Sequence, residues 1–522
     1  MLCAPIVLIA SVLLSHTGLP GSGQSTHAAA HEDKGLELAR AGDLATAEAE
    51  LRTAVELAPN EAEFQGNLAT VLAVEKKLEE STGFFKSALK LDPSNLTTRR
   101  YLAANLWQLH RYAEAKQNLQ LILKERPNDA QSRLLLGMVA ENMREYGMAV
   151  RMLSSVPAEL QKQPESIAAL AVSYYHLGEK YKAQTTLELL KSNPAGTRAV
   201  LLGAQVADEM ADYDSALQLL NSIRFSSADE ADLRYRLATV QFHAGRFSNC
   251  EQTLLPVATS GAATGQMFNL LGWCYQKQDR FDDAIQAFEN GTKVQPSEES
   301  NYLDWANVLL ANNRVPAALE LAKRATDALS ISARAFALRG SVEMLAAQYS
   351  DALRSYSRAK ELDPTLADAV LGLGDAQFSG GMKKDAANTF TAGIQNFPKD
   401  ARFPLHYALV LLKQSETGDQ AGDKHAEELL NSAVKLDPVL LEAHYQLAEL
   451  ALKKGNNTVA LREYETAAKI DPQSPRSHFG LAKVYRRLGK AELASHETEL
   501  FQKLQQKYSK SAASSSREAS KN

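Results

Sequence analysis

The sequence predicts an all-α fold, a solenoid built by stacking one antiparallel helix pair on itself about fourteen times. Three observations predict it. First, a small residue returns every 34 or so positions, running Gly35, Ala69, Ala103, Gly137, Ala171 and on to Ala448 and Ala482. A second small position lies twelve residues later, from Ala47, Ser81 and Ala115 to Ala460 and Ala494. Ala and Gly make up 108 of the 522 residues, about a fifth, so composition does not account for fourteen Ala or Gly in the first slot. Second, proline keeps the same clock: Pro59, Pro93 and Pro127 are 34 apart, as are Pro364 and Pro398, and Pro438 and Pro472. Third, each window holds two apolar stripes of helical period separated by a short polar turn. A period in this range marks a repeat array and overrides the multi-domain expectation that length alone would give.

The elements follow in order. Leu2 to Leu14 is an apolar run broken only by Ser11. Thirteen residues are too few for a membrane-spanning helix of ~20 but suit a signal-peptide core. No Lys or Arg precedes the run, and Cys3 lies at its start rather than after it, so Cys3 is not the cysteine of a lipoprotein signal. His16 to Ala30 is small and polar, with candidate cleavage after Gly23 or after the Ala28-Ala29-Ala30 run. Residues 1–27 are therefore read as signal peptide and short linker, and the chain as exported, periplasmic or extracellular, with the cytoplasm as the alternative.

Residues 28–508 are the solenoid. The window 265–298 shows one unit. Phe268, Leu271, Gly272 and Tyr275 share a face of the first helix, Gln278-Asp279-Arg280 is the turn, and Ala284, Phe288 and Gly291 share a face of the second. Gly272 is expected to face Ala284, since helices approach closely only where side chains are small. Pro296 stops the second helix because it lacks a donor and restricts the residue before it. Asp92-Pro93, Asp363-Pro364, Asp437-Pro438 and Asp471-Pro472 repeat the stop. Windows 130–163 and 197–264 keep the small residues and lose the regular prolines. Pro157 and Pro256 fall inside their second helices, where a kink or early end is expected. A polar insert near 415–424 displaces the second small residue of its unit to Ala426. Residues 509–522, rich in Ser and Ala, are read as a disordered tail, and the charged helix before them as the polar cap a solenoid needs.

This pattern resembles the tetratricopeptide repeat family. Its signature of an aromatic, Leu, Gly and Tyr, then Ala, Phe, Ala and Pro, is met by Phe268, Leu271, Gly272, Tyr275, Ala284, Phe288 and Pro296, with Gly291 replacing the second alanine. The resemblance implies a right-handed superhelix whose first helices line a concave groove for peptide segments of partner proteins. Counting the first small residue as position eight, groove residues are the second, fifth, ninth and twelfth of each unit. Carried over, these include Arg100, Trp107, Tyr175, Tyr235, Phe242, Asn269, Trp273 and Asn307. Trp305, Tyr174 and Tyr275 fall on the packing face. A carboxylate clamp of the co-chaperone type would need Lys and Asn where this chain has Glu32, Leu36, Asn67, Thr97 and Tyr101, and only Asn67 fits.

The chemistry is mostly excluded. Among the sequence motifs there is no phosphate-binding glycine loop, no CxxC, no nucleophile elbow and no paired metal histidines, and repeats occupy nearly all of the chain. No catalytic residue, metal or cofactor is assigned. A net charge of −5 argues against a nucleic-acid-binding role, and no transmembrane span is expected. Arg476, Lys483, Arg486 and Arg487 give the last first helix a basic face suited to an acidic partner, to a polysaccharide or to solvent. Cys250 occupies a small-residue slot and reads as a buried thiol; Cys274 lies in the next unit, so a disulfide is conceivable on export. The reading is a non-enzymatic adaptor that binds other proteins, with an envelope or secretion assembly as one setting. The alternatives are the recognition arm of an enzyme on another chain and a cytosolic co-chaperone.

Overall fold

The computed structural model describes residues 23–224, 230–414 and 420–519, and its regular elements there are helices. They form fourteen successive pairs, from Gly23–Ala41 with Leu44–Leu57 to Pro475–Arg487 with Ala491–Ala519. The chain divides into two compact bodies at Ala263 and Thr264. Within each body, every second helix packs on its own first helix and on the first helix of the following unit, except in unit five, where the turn Leu189–Ser192 that continues Lys180–Glu188 makes the second contact. The core is accordingly a series of interfaces between neighbours.

The small residues do what the sequence implies. The fourteen second-slot residues are at most 3 % exposed. What fills the space at the first slot differs from expectation. A Cβ on Gly272 would lie 2.7 Å from the Phe288 ring, so the glycine faces that ring rather than Ala284. The relation repeats at a fixed spacing of sixteen: Gly35 meets Leu51, Gly137 meets Leu153, Gly340 meets Tyr356 and Gly374 meets Phe390. The slot is kept small to admit one large side chain of the paired helix.

The turn between the helices is equally regular. One residue with φ between 55° and 89° stands there in each unit whose turn is described, from Gly42, Lys76 and His110 to Gly455 and Gly489. The twelfth unit's turn falls in 415–419, outside the described residues, as does half of the expected insert; 420–424 open the helix Gln420–Leu436. The Asp-Pro stops gain a second role. Asp92, Asp363, Asp437 and Asp471 each accept a hydrogen bond from the backbone N–H two residues on, at 2.8–3.1 Å, closing an Asx turn that starts the next unit.

The irregular middle is seen in the second helices. Those of units two and three have 14 residues, while units four, five and six have 8, 9 and 9. In unit four the helix ends at Leu153 and Pro157 opens a separate turn, Pro157–Leu160. Pro256, in contrast, is held inside Phe247–Thr259. At the ends, the first helix begins at Gly23 and Ala28 is fully buried in its core, whereas residues 1–22 lie outside the described region. The last helix runs on to Ala519 through the segment expected to be unstructured. Cys250 and Cys274 are fully buried, and neither is a free thiol.

Candidate functional site

Each first helix has two faces fixed by its period. One carries positions three, four, seven and eight into the core, and the other turns positions two, five, nine and twelve away from the second helix. Two cavities open on that second face. In the first body, a cavity of ~260 Å³ lies between units six and seven. Leu201, Gln205 and Asp208 line it from one helix, Asp232, Tyr235 and Thr239 from the next. In the second body, a cavity of ~720 Å³ spans units nine to twelve. Ser300, Leu303 and Asn307 line it from unit nine, Arg334, Ala337 and Ser341 from unit ten, Asp368 and Arg402 from the following two. These are the second, fifth and ninth positions of successive units, with Asp208 a twelfth.

The larger cavity combines an apolar floor with an alternating rim. Leu303, Ala337, Leu338 and the Tyr356 ring are its apolar parts. On the rim, Arg334 pairs with Glu299 at 3.3 Å and Arg402 with Asp368 at 2.7 Å. Asn307 is exposed and presents an amide that both donates and accepts. Such a surface presents both hydrogen-bond donors and acceptors.

The residues singled out from sequence separate into three groups. Tyr235 and Asn307 line the cavities. Asn269, Phe242 and Trp273 are half-buried and partnered. The Asn269 amide donates to Asp304 at 2.8 Å, beside the larger cavity, Phe242 meets Phe247 edge-on at 5.4 Å and Trp273 meets Phe288 at 6.2 Å. The remaining three are tied into the scaffold. Arg100 pairs with Asp129 at 3.1 Å, the residue that caps the next first helix. Tyr175 donates to Asp212 at 2.7 Å, together with Gln184 and Ser215. Burial opposes ionisation of Asp212, but these donors outweigh it and hold the carboxyl below its usual range. Trp107 is 9 % exposed, within the core. Trp305 and Tyr275 are buried as expected, and Tyr174 is half-buried.

Two alternatives raised by the sequence involve side chains that already have partners within the chain. Asn67, the one residue that fits a carboxylate clamp, donates to Glu32 at 2.7 Å. Glu32 is buried, and desolvation lifts its carboxyl to about 7. A clamp there would set a second carboxylate against this one. The basic end is internally engaged: Arg476 pairs with Glu442, Lys483 with Glu449, Arg486 bonds Thr498 and Arg487 bonds the Leu452 carbonyl. Reasoning from sequence missed Arg334, Ser341 and Arg402. The signal was present, since all three sit at second or ninth positions. Among the described residues no cluster of metal-binding side chains occurs, and no helix is long and apolar enough to cross a membrane.

Comparison with known proteins gives the same unit. Models described as tetratricopeptide repeat match residues 32–95, 265–298, 303–367 and 346–401, and one described as TPR repeat matches 451–489. The chain is 25 % identical over 300 residues to the TPR repeat-containing protein YpiA of Bacillus subtilis, covering 56 % of this chain and 68 % of that one. It is 24 % identical over 293 residues to the protein CTR9 homolog of Arabidopsis thaliana, covering 55 % of this chain but 25 % of the relative. Among solved structures, yeast Tom70 aligns over 95 % of this chain and 97 % of its own at 18 % identity, with a TM-score of 0.40.

Proposed function

The chain belongs to the tetratricopeptide repeat family, and from that membership we propose that it is a non-enzymatic scaffold that holds extended segments of partner proteins against its first helices. The observation that carries this reading is the ~720 Å³ cavity of units nine to twelve. Its lining residues recur at the positions that face away from the core, and its size suits a few residues of peptide rather than a flat contact. The apolar floor supplies burial, while Asn307 and Ser341 supply backbone hydrogen bonds.

The test is to fill the cavity. Asn307→Trp and Ser341→Trp both act at exposed or half-buried positions, so the fold is expected to persist. Cross-linking in intact cells should recover partner proteins with the parent chain and lose them, by about tenfold or more, with the double variant. Unchanged recovery from a folded double variant would reject the groove. Recovery of one stoichiometric enzyme would favour the recognition-arm reading. The co-chaperone reading is weakened by the Asn67–Glu32 bond.

Export is the second part of the proposal and rests on Leu2 to Leu14, outside the described residues. The buried Ala28 adds a constraint: cleavage after Ala30 would remove a core residue, whereas cleavage near Gly23 would leave the first helix whole. Mass spectrometry of the mature N-terminus should place it near Gly23. An intact Met1 in a soluble cytosolic fraction would sink the idea.

A further inference from the structure

In five units, two to four and the last two, the fourth residue of the first helix is a staple to the unit before it. In units two, three and four it is Gln65, Arg99 or Arg133. Each donates to the carbonyl of the proline that ended the previous unit, six residues earlier, at 2.7–2.9 Å. Arg99 also reaches Asn118, nineteen residues ahead on its own second helix. Amides and guanidinium groups in general keep their donor hydrogens across the neutral pH range.

In the last two units the same position is histidine. His444 places Nε2 3.0 Å from the Pro438 carbonyl oxygen and Nδ1 2.7 Å from Glu463 Oε2. His478 repeats this with Pro472 at 3.0 Å and Glu497 at 2.6 Å. Both rings are buried, 5 % and 8 % exposed. A carbonyl oxygen and an ionised carboxylate only accept, so serving both requires an N–H on each ring nitrogen. Only the imidazolium has two. A neutral ring must turn a lone pair toward one of the two oxygens.

We infer that the junction entering unit thirteen forms a pH-operated lock, closed by a doubly donating His444 imidazolium and loosened when that ring gives up its second proton. The groups acting on His444 are Glu463 and Arg462, both on Asn457–Ile470, with Arg462 itself paired to Glu463 at 2.7 Å. Glu497, on the last helix, faces His478. The other ion pairs of the flanking helices, Lys453–Asp423, Arg476–Glu442 and Lys483–Glu449, join different residues. The Glu463 hydrogen bond raises the His444 ring above its ordinary value. A raised folded-state value means the stabilisation is complete below about pH 6.5, the unfolded value, and is lost as pH rises through the folded one. The lock does not depend on the groove reading, because its readout is local stability and not partner capture.

Hydrogen exchange on the full chain, corrected for intrinsic rates, tests it. Between about pH 6 and about pH 9, protection in 441–470 should fall relative to 62–142, where the staples are Gln and Arg, by up to about tenfold per unit of pKa shift. His444→Arg, which copies the Arg99 arrangement, should flatten that difference. An equal pH response in parent and variant would overturn the lock. Should the variant fail to fold, NMR titration of the parent ring decides: a His444 midpoint above about 6.5 supports the lock, and one at or below it refutes it.

Discussion

Gly291 stands where the repeat pattern has alanine, and Asn301 is the reason. A Cβ on Gly291 would lie 2.5 Å from Asn301 Oδ1 and 2.7 Å from its Cγ. Asn301 is fully buried, and neither of its amide atoms has a hydrogen-bond partner. Gly291→Ala should therefore destabilise the protein by about 1–3 kcal/mol, the usual cost of overfilling a packed site. Asn301→Ala removes both the obstruction and a buried unpaired amide, so the double variant should be markedly more stable than the sum of the single effects predicts. Thermal or urea unfolding of the four proteins checks this; simple additivity would show that the two residues do not compete for the same space. The slot was legible in the sequence because an absent side chain recurs at a fixed interval. Its occupant was not. Periodicity marks where a helix must stay thin, and says nothing of whether Phe288, Ala284 or the next unit's Asn301 moves in.

Helices and turns were legible to different degrees for a similar reason. Pro157 and Pro256 interrupt comparable second helices, yet the first ends its helix and the second does not. Ser154 and Ser155 precede Pro157, and their hydroxyls bond the Val150 and Met152 carbonyls, competing with the helix. Leu254 precedes Pro256 and is 1 % exposed, so packing retains the turn that proline weakens. The hairpin turn carries a sharper consequence. Its left-handed residue is glycine in six of the thirteen described turns and an L residue in seven, among them Ala211 and Ala347 at φ 55° and 57°. Alanine has no local hydrogen bond to offset the close approach of its Cβ to the carbonyl that this conformation imposes. Ala211→Gly and Ala347→Gly should each stabilise the chain by about 1 kcal/mol, and Gly381→Ala should cost about as much. Denaturation midpoints measure the effect. A loss of stability in both glycine variants would mean that helix-end packing, and not backbone strain, governs the turn.

For the whole chain, the positions that face away from the core could be numbered from the sequence, and Tyr235 and Asn307 were found on them. The choice among positions failed where large polar or aromatic groups also reach a neighbouring unit, as Tyr175 does to Asp212 and Arg100 to Asp129. In a stacked array the same face serves both ligand and neighbour, so residue type alone does not separate the two roles. That architecture also fixes how damage spreads. Phe390 is fully buried, with its ring against Gly374 of its own unit and 6.0 Å from His406 of the next. Phe390→Ala should cost about 3–5 kcal/mol where it acts. Since each unit is stabilised by its own fold and by its neighbours alone, hydrogen exchange should accelerate across 333–436 and stay unchanged across 62–142. Uniform acceleration along the entire chain would show a single cooperative unit instead. The groove between units nine and twelve lies partly within the affected stretch, so the same variant should weaken partner capture while most of the chain remains folded.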